Sequence, residues 1–131
     1  MNPLILVVDD NSMFRKSLLD WLEVFYPQCR FMGASSGEEC LEVAQETEPD
    51  VVVMDVRLPG LSGIEATREM RRLGLKSQVI VMTTMDTECY RQDAMNAGAA
   101  AFVVKDRSWL ELPGVLERLL EDALPVSRRG I

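Results

Sequence analysis

Val51-Val52-Val53-Met54-Asp55-Val56-Arg57-Leu58-Pro59-Gly60 decides how this chain is read. A short apolar run, rich in β-branched residues, ends on an aspartate and then a proline-glycine turn. That is the form of a buried strand and the loop at its carboxyl end. Three other runs share the form. Leu4-Ile5-Leu6-Val7-Val8 leads into Asp9-Asp10, Val79-Ile80-Val81-Met82 into Thr83, and Phe102-Val103-Val104 into Lys105. If the runs are parallel strands of one sheet, all four endings share an edge. Ligands of open α/β sheets bind outside the carboxyl ends of the strands. Three carboxylates, a hydroxyl and an ammonium would then meet in one crevice, suited to a divalent metal and a phosphoryl group beside Asp55.

The segments between the runs read as helices, so the chain alternates strand and helix five times, the pattern of βα units. Residues 12–25 place Phe14, Leu18, Trp21, Leu22 and Phe25 on one helical face, and Pro27 stops the helix. A weaker strand is expected around Cys29–Ala34. Ser36 with Glu39, and Ser62 with Glu65, read as capping boxes that open the second and third helices. Gly74 is placed to end the third. The segment from about Thr87 to Ala97 offers only Tyr90, Ala94 and Ala97 as an inward stripe, which predicts a weakly held helix. Ser108 and Glu111 begin the last helix, with Val115, Leu116, Leu119 and Leu120 inward. Residues 1–124 form one expected domain, and 125–131 a tail or the start of a linker.

Composition narrows the function. The 131 residues suffice for one self-sufficient core, and 47% hydrophobic with 27% charged residues is ordinary for a soluble domain. No apolar stretch is long enough to span a bilayer, and Met1-Asn2-Pro3 lacks the basic start of a signal peptide. Cys29, Cys40 and Cys89 are few, odd in number and far apart. They read as reduced, partly buried thiols in a cytoplasmic setting. Histidine is absent, which excludes Ser-His-Asp and Cys-His catalysis and a role as phosphohistidine donor. A net charge of −7 argues against direct nucleic-acid binding.

Each candidate residue also has an ordinary explanation. Asp9-Asp10 could cap the first helix, Thr83 could be a plain strand residue, and Lys105 a snorkelling lysine. Their order and common placement at strand ends favour the site. Three close carboxylates repel one another unless a cation sits among them, and Mg²⁺ takes such oxygen ligands together with phosphate. Thr83 and Lys105 would hold phosphoryl oxygens while Asp55 attacks as nucleophile.

The motifs Val8-Asp9-Asp10, Met54-Asp55 through Ser62-Gly63, Thr83, Ala97-Gly98-Ala99 and Lys105 resemble those of the response-regulator receiver domains of bacterial two-component signalling, the CheY-like family. The resemblance spans residues 4–123. It implies a doubly wound α/β fold, (βα)5, flavodoxin-like, with strand order 2-1-3-4-5. It implies that Asp55 accepts a phosphoryl group from the phosphohistidine of a sensor kinase or His-phosphotransfer protein. Asp10, Asp55 and the backbone carbonyl of Arg57 would bind Mg²⁺, with Asp9 acting through water. Thr83, Lys105 and the backbone N–H of Thr84 would hold the phosphoryl oxygens. Phe102 would rotate into space left by Thr83, remodelling the face of the fourth helix, fifth strand and fifth helix. Ordinary core packing explains Phe102 equally well. Arg57 and Met85 would tune phosphorylation and dephosphorylation rates.

Asp106 departs from the family's frequent proline after this lysine, as in receivers attached to helix-turn-helix outputs. The Lys105–Asp106 bond is then either trans, or cis at a strain of roughly 2.5–4 kcal/mol. The expectation is a phosphorylation-controlled switch with self-phosphorylation and autodephosphorylation, not a turnover enzyme. It would be stand-alone or cut from a longer parent with an output domain, and a homodimer on phosphorylation would be consistent. An aspartyl phosphatase would commonly carry a second acid where Arg57 stands. A flavodoxin-like carrier would need a Ser/Thr/Gly-rich loop where Asp9-Asp10-Asn11 stands. A degenerate receiver would lack part of the five-residue set.

Overall fold

The computed structural model describes residues 2–84 and 88–121. Five strands alternate with five helices: β1 (Leu4–Val8), α1 (Ser12–Phe25), β2 (Arg30–Ala34), α2 (Gly37–Thr47), β3 (Val51–Asp55), α3 (Gly63–Arg72), β4 (Gln78–Thr83), α4 (Glu88–Asn96), β5 (Ala101–Val104) and α5 (Ser108–Leu119). A 3-10 turn, Lys105–Arg107, joins β5 to α5. All neighbouring strands pair in parallel, in the order β2-β1-β3-β4-β5. The central runs are apolar throughout because both of their faces are covered. Leu6, Val8, Val52, Met54, Val79 and Val81 pack toward Cys40, Ala44, Ala66 and Met70 on α2 and α3. The alternate residues Ile5, Val7, Val51, Val53, Ile80 and Met82 pack toward Leu18, Leu22, Leu112 and Leu116 on α1 and α5.

Several local readings need correction. Phe25 is 55% exposed; Tyr26, one residue on, is buried instead and caps α1. The first helix is capped by the Asn11 side chain, which accepts from Phe14 N at 3.0 Å, and not by the Asp9 or Asp10 carboxylate. At α2 the box is displaced. Ser36 Oγ accepts from Glu39 N, but the Glu39 carboxylate accepts from Ser35 N and Oγ. Leu112 joins Leu116 and Leu120 in the core, whereas Val115 and Leu119 are only partly buried. Pro113 lies inside α5, and Ser108 opens that helix without a side-chain cap. Cys29 and Cys40 are buried, but Cys89 is exposed. The expected start of the fourth helix at Thr87 and the tail 125–131 lie outside the described residues.

The loop that follows Asp55 is anchored where it meets α3. Ser62 Oγ accepts from Glu65 N at 3.1 Å, and Glu65 Oε1 accepts from Ser62 N at 3.0 Å, completing the box that opens α3. Glu38 Oε2 on α2 accepts from Leu61 N at 3.1 Å. Ser62→Ala removes one half of the box and should cost about 1 kcal/mol. Urea denaturation should show a lower midpoint with an unchanged slope.

Candidate functional site

Four of the five strands, β1, β3, β4 and β5, lead into polar groups at the same edge. Asp55 ends β3 and Thr83 ends β4, with Asp55 in register with Met82, so the buried Thr83 stands one step beyond it on the neighbouring strand. Asp9 follows β1 and is fully buried, while Asp10 is exposed. Backbone groups fix Asp9: its N–H donates to Ala34 O at 3.1 Å, and its Oδ1 accepts from Asn11 N at 2.9 Å. Carboxylate oxygens of Asp9, Asp10 and Asp55 lie within 4.8 Å of one another.

Lys105 enters from the end of β5. Its Nζ lies 2.7 Å from Asp9 Oδ2 and 3.5 Å from Asp55 Oδ2. Burial opposes the ammonium, but the two carboxylates outweigh that and hold its pKa above the usual lysine value. Asp55 moves strongly the other way for an acid. Burial first, then the charge of Asp9, pushes its pKa up to about 6, against the opposing pull of Lys105 and the Arg57 N–H. That N–H donates to Asp55 Oδ1 over a long 3.5 Å.

This donor set fits a hard divalent cation. Its ligand atoms are carboxylate oxygens, the type that Mg²⁺ prefers. Asp9 Oδ2 is buried and, despite the nearby ammonium, receives no well-directed hydrogen bond. Burial, with the charge of Asp9, outweighs the pull of Lys105 on Asp55, so a cation at this site would favour its ionised form.

The other predicted residues lie around this centre. Arg57 and Thr84 are exposed on the loops after β3 and β4. Phe102 is in register with Val81 and half-buried on the sheet face that carries Thr83, with the Arg91 guanidinium 4.6 Å from its ring centroid. Met85 lies outside the described residues. No peptide bond is cis among the described residues, so Lys105–Asp106 is trans. An open cleft of about 660 Å³ extends from Asp10 and Arg57 between α3 and α4 toward Arg68 and Tyr90. Sequence reasoning missed two contributors. Arg15 donates to the carbonyl of Asp9, and Phe14, read only as core, lies under the Lys105 ammonium. Their place in the first turn after Asp9-Asp10 was the available signal.

Five parallel strands in this order, with an acidic cluster and a lysine at their carboxyl edge, define a receiver-type α/β domain. Residues 5–117 match the response regulator receiver domain family, and the chain belongs to it. The chain is 38% identical over 101 residues to the response regulator GacA of Pseudomonas aeruginosa, covering 77% of this chain and 47% of GacA. It thus spans about half the length of the curated relatives it matches. A LuxR-family two-component response regulator from Aurantimonas sp. superimposes with a TM-score of 0.86 at 31% identity, over 93% of this chain and 87% of that one. The receiver domain of the putative response regulator NarL from Mycobacterium tuberculosis gives a TM-score of 0.83 at 27% identity, over 90% of this chain and 96% of that one.

Proposed function

We propose that this receiver domain accepts a phosphoryl group on Asp55 from the phosphohistidine of a sensor kinase or His-phosphotransfer protein. One observation carries the reading: a buried carboxylate at the end of the central strand, clustered with Asp9 and Asp10 and within 3.5 Å of the Lys105 ammonium. Asp55 Oδ attacks phosphorus, the bond from phosphorus to the donor imidazole nitrogen breaks, and that imidazole leaves, ending protonated. The product is an aspartyl phosphate. Asp10, Asp55 and the Arg57 carbonyl would hold Mg²⁺, with Asp9 through water. The ion would neutralise charge on the transferring oxygens. Lys105, Thr83 and the Thr84 N–H receive those oxygens, so the site acts by positioning and charge compensation.

Transfer would bias Thr83 and Phe102, which share one face of adjacent strands, and so remodel the face of α4, β5 and α5. α4 suits this role because only Ala94 within it is fully buried. Arg57 and Met85 would set the lifetime. The receiver occupies residues 1–124 and works in the cytoplasm. It would control an output domain of a longer parent or a homodimer, without itself binding nucleic acid or turning over a substrate. Among the described residues no helix is long and apolar enough to cross a membrane.

The test is intact-mass analysis after incubation with Mg²⁺ and acetyl phosphate, followed by borohydride reduction and peptide mapping. One phosphoryl adduct, reduced to homoserine at position 55, is expected. Full labelling at another residue, or an adduct that forms equally in chelator, would overturn the assignment.

A further inference from the structure

Lys105 is held from a third direction. Its Nζ lies 4.4 Å from the centroid of the Phe14 ring, in addition to its contacts with Asp9 and Asp55. An ammonium is attracted to the face of an aromatic ring, most strongly where water is excluded, and the Lys105 side chain is only 14% exposed. The ring is itself restrained. Its centroid is 6.2 Å from that of Trp109, which in turn meets Trp21 edge-on at 5.1 Å. Phe14 thus stands at the end of an aromatic row that Trp109 and Trp21 continue.

The restraint bears on the choice between two carboxylates. The ammonium is closer to Asp9, at 2.7 Å, than to Asp55, at 3.5 Å. Lysine's long stem has little stiffness of its own, so its reach to Asp55 depends on the contacts around the ammonium. We propose that Phe14 is a positioning residue. Its ring face seats Lys105 so that the ammonium stays within reach of Asp55 and of the phosphoryl oxygens arriving there. A leucine fills much of the same space against the core but offers no ring face. This inference rests on the proposed role of Asp55.

Phe14→Leu and Phe14→Tyr separate positioning from packing. The first readout is the upfield ring-current shift of the Lys105 Hε protons in the unphosphorylated protein. The second is the rate of phosphoryl uptake from acetyl phosphate at saturating Mg²⁺. The leucine variant should lose the shift and slow uptake by about three- to tenfold. The tyrosine variant should restore both. Phe14→Met repeats the leucine arm if that variant fails to fold. The proposal is overturned if Lys105 of the parent shows no ring-current shift, if the leucine variant keeps the parental rate, or if tyrosine is as slow as leucine. A parent that takes up no phosphoryl group would instead overturn the assignment of Asp55, and the ring-current arm would still decide whether the ring seats the ammonium.

Discussion

Asp55→Asn should take no phosphoryl group and, in chelator, should unfold at higher denaturant than the parent above pH 6. The first effect follows from losing the carboxylate oxygen that the proposed transfer needs. The second follows from proton linkage. In the folded protein the Asp55 pKa is raised from 3.8 to about 6 by burial and by Asp9. Folding therefore favours the protonated acid. Below the unfolded value the carboxyl is neutral in both states and carries no penalty. As pH rises through the folded value the ionised group must be buried, and that stability is lost. At about 1.4 kcal/mol per pKa unit the loss amounts to roughly 3 kcal/mol. Asparagine cannot ionise, so its advantage should grow across this window and vanish near pH 4. Mg²⁺ should shrink the advantage, since a cation stabilises the ionised parent. Urea melts across the pH range, with and without Mg²⁺, provide the check. A gain of equal size at both ends of the range would show that ionisation of Asp55 is not its source.

The placement of polar groups at the strand ends was legible in the sequence because it depends on little else. An apolar run ending in a polar residue shows both the strand and its edge, and Asp9, Asp55, Thr83 and Lys105 all fall where their runs stop. The order of the strands came from the resemblance, not from periodicity. Details that depend on how elements cross were less legible. The helical face of α1 included Phe25, but Tyr26, which caps the helix, takes the buried place and Phe25 meets Trp21 in a tilted contact at 4.8 Å. The reciprocal bond of Glu39 went to Ser35 because two adjacent serines offered themselves. Phe14 looked like core because a helical stripe shows which side faces inward, not which ring meets a lysine arriving from another strand.

Gly63→Ala should be the most damaging alanine substitution among the described glycines. Its Cβ would stand 2.1 Å from the carbonyl oxygen of Asp55 and 2.9 Å from Met54 Cγ. Neither neighbour can yield cheaply. The oxygen belongs to the backbone of the central strand, and Met54 is fully buried. Relief requires α3 to retreat from β3, which strains the 2.9 Å bond from Gly63 N to Val56 O and shifts the loop that orients Asp55 and Arg57. Alanine's higher helix propensity returns only about 1 kcal/mol, and overpacking against an unyielding backbone should exceed it, for a net loss of at least about 3 kcal/mol. Phosphoryl uptake by the surviving folded fraction should fall as well, because the clash bears on the residue that carries Asp55 itself. Gly114→Ala is the matching control. It lies on α5 with nothing within 4 Å of the added Cβ, so the same methyl should stabilise by about 0.5–1 kcal/mol. Thermal and urea unfolding of the two variants should therefore move in opposite directions. A Gly63→Ala protein as stable as the parent would mean that α3 does not rest on the carbonyl of Asp55.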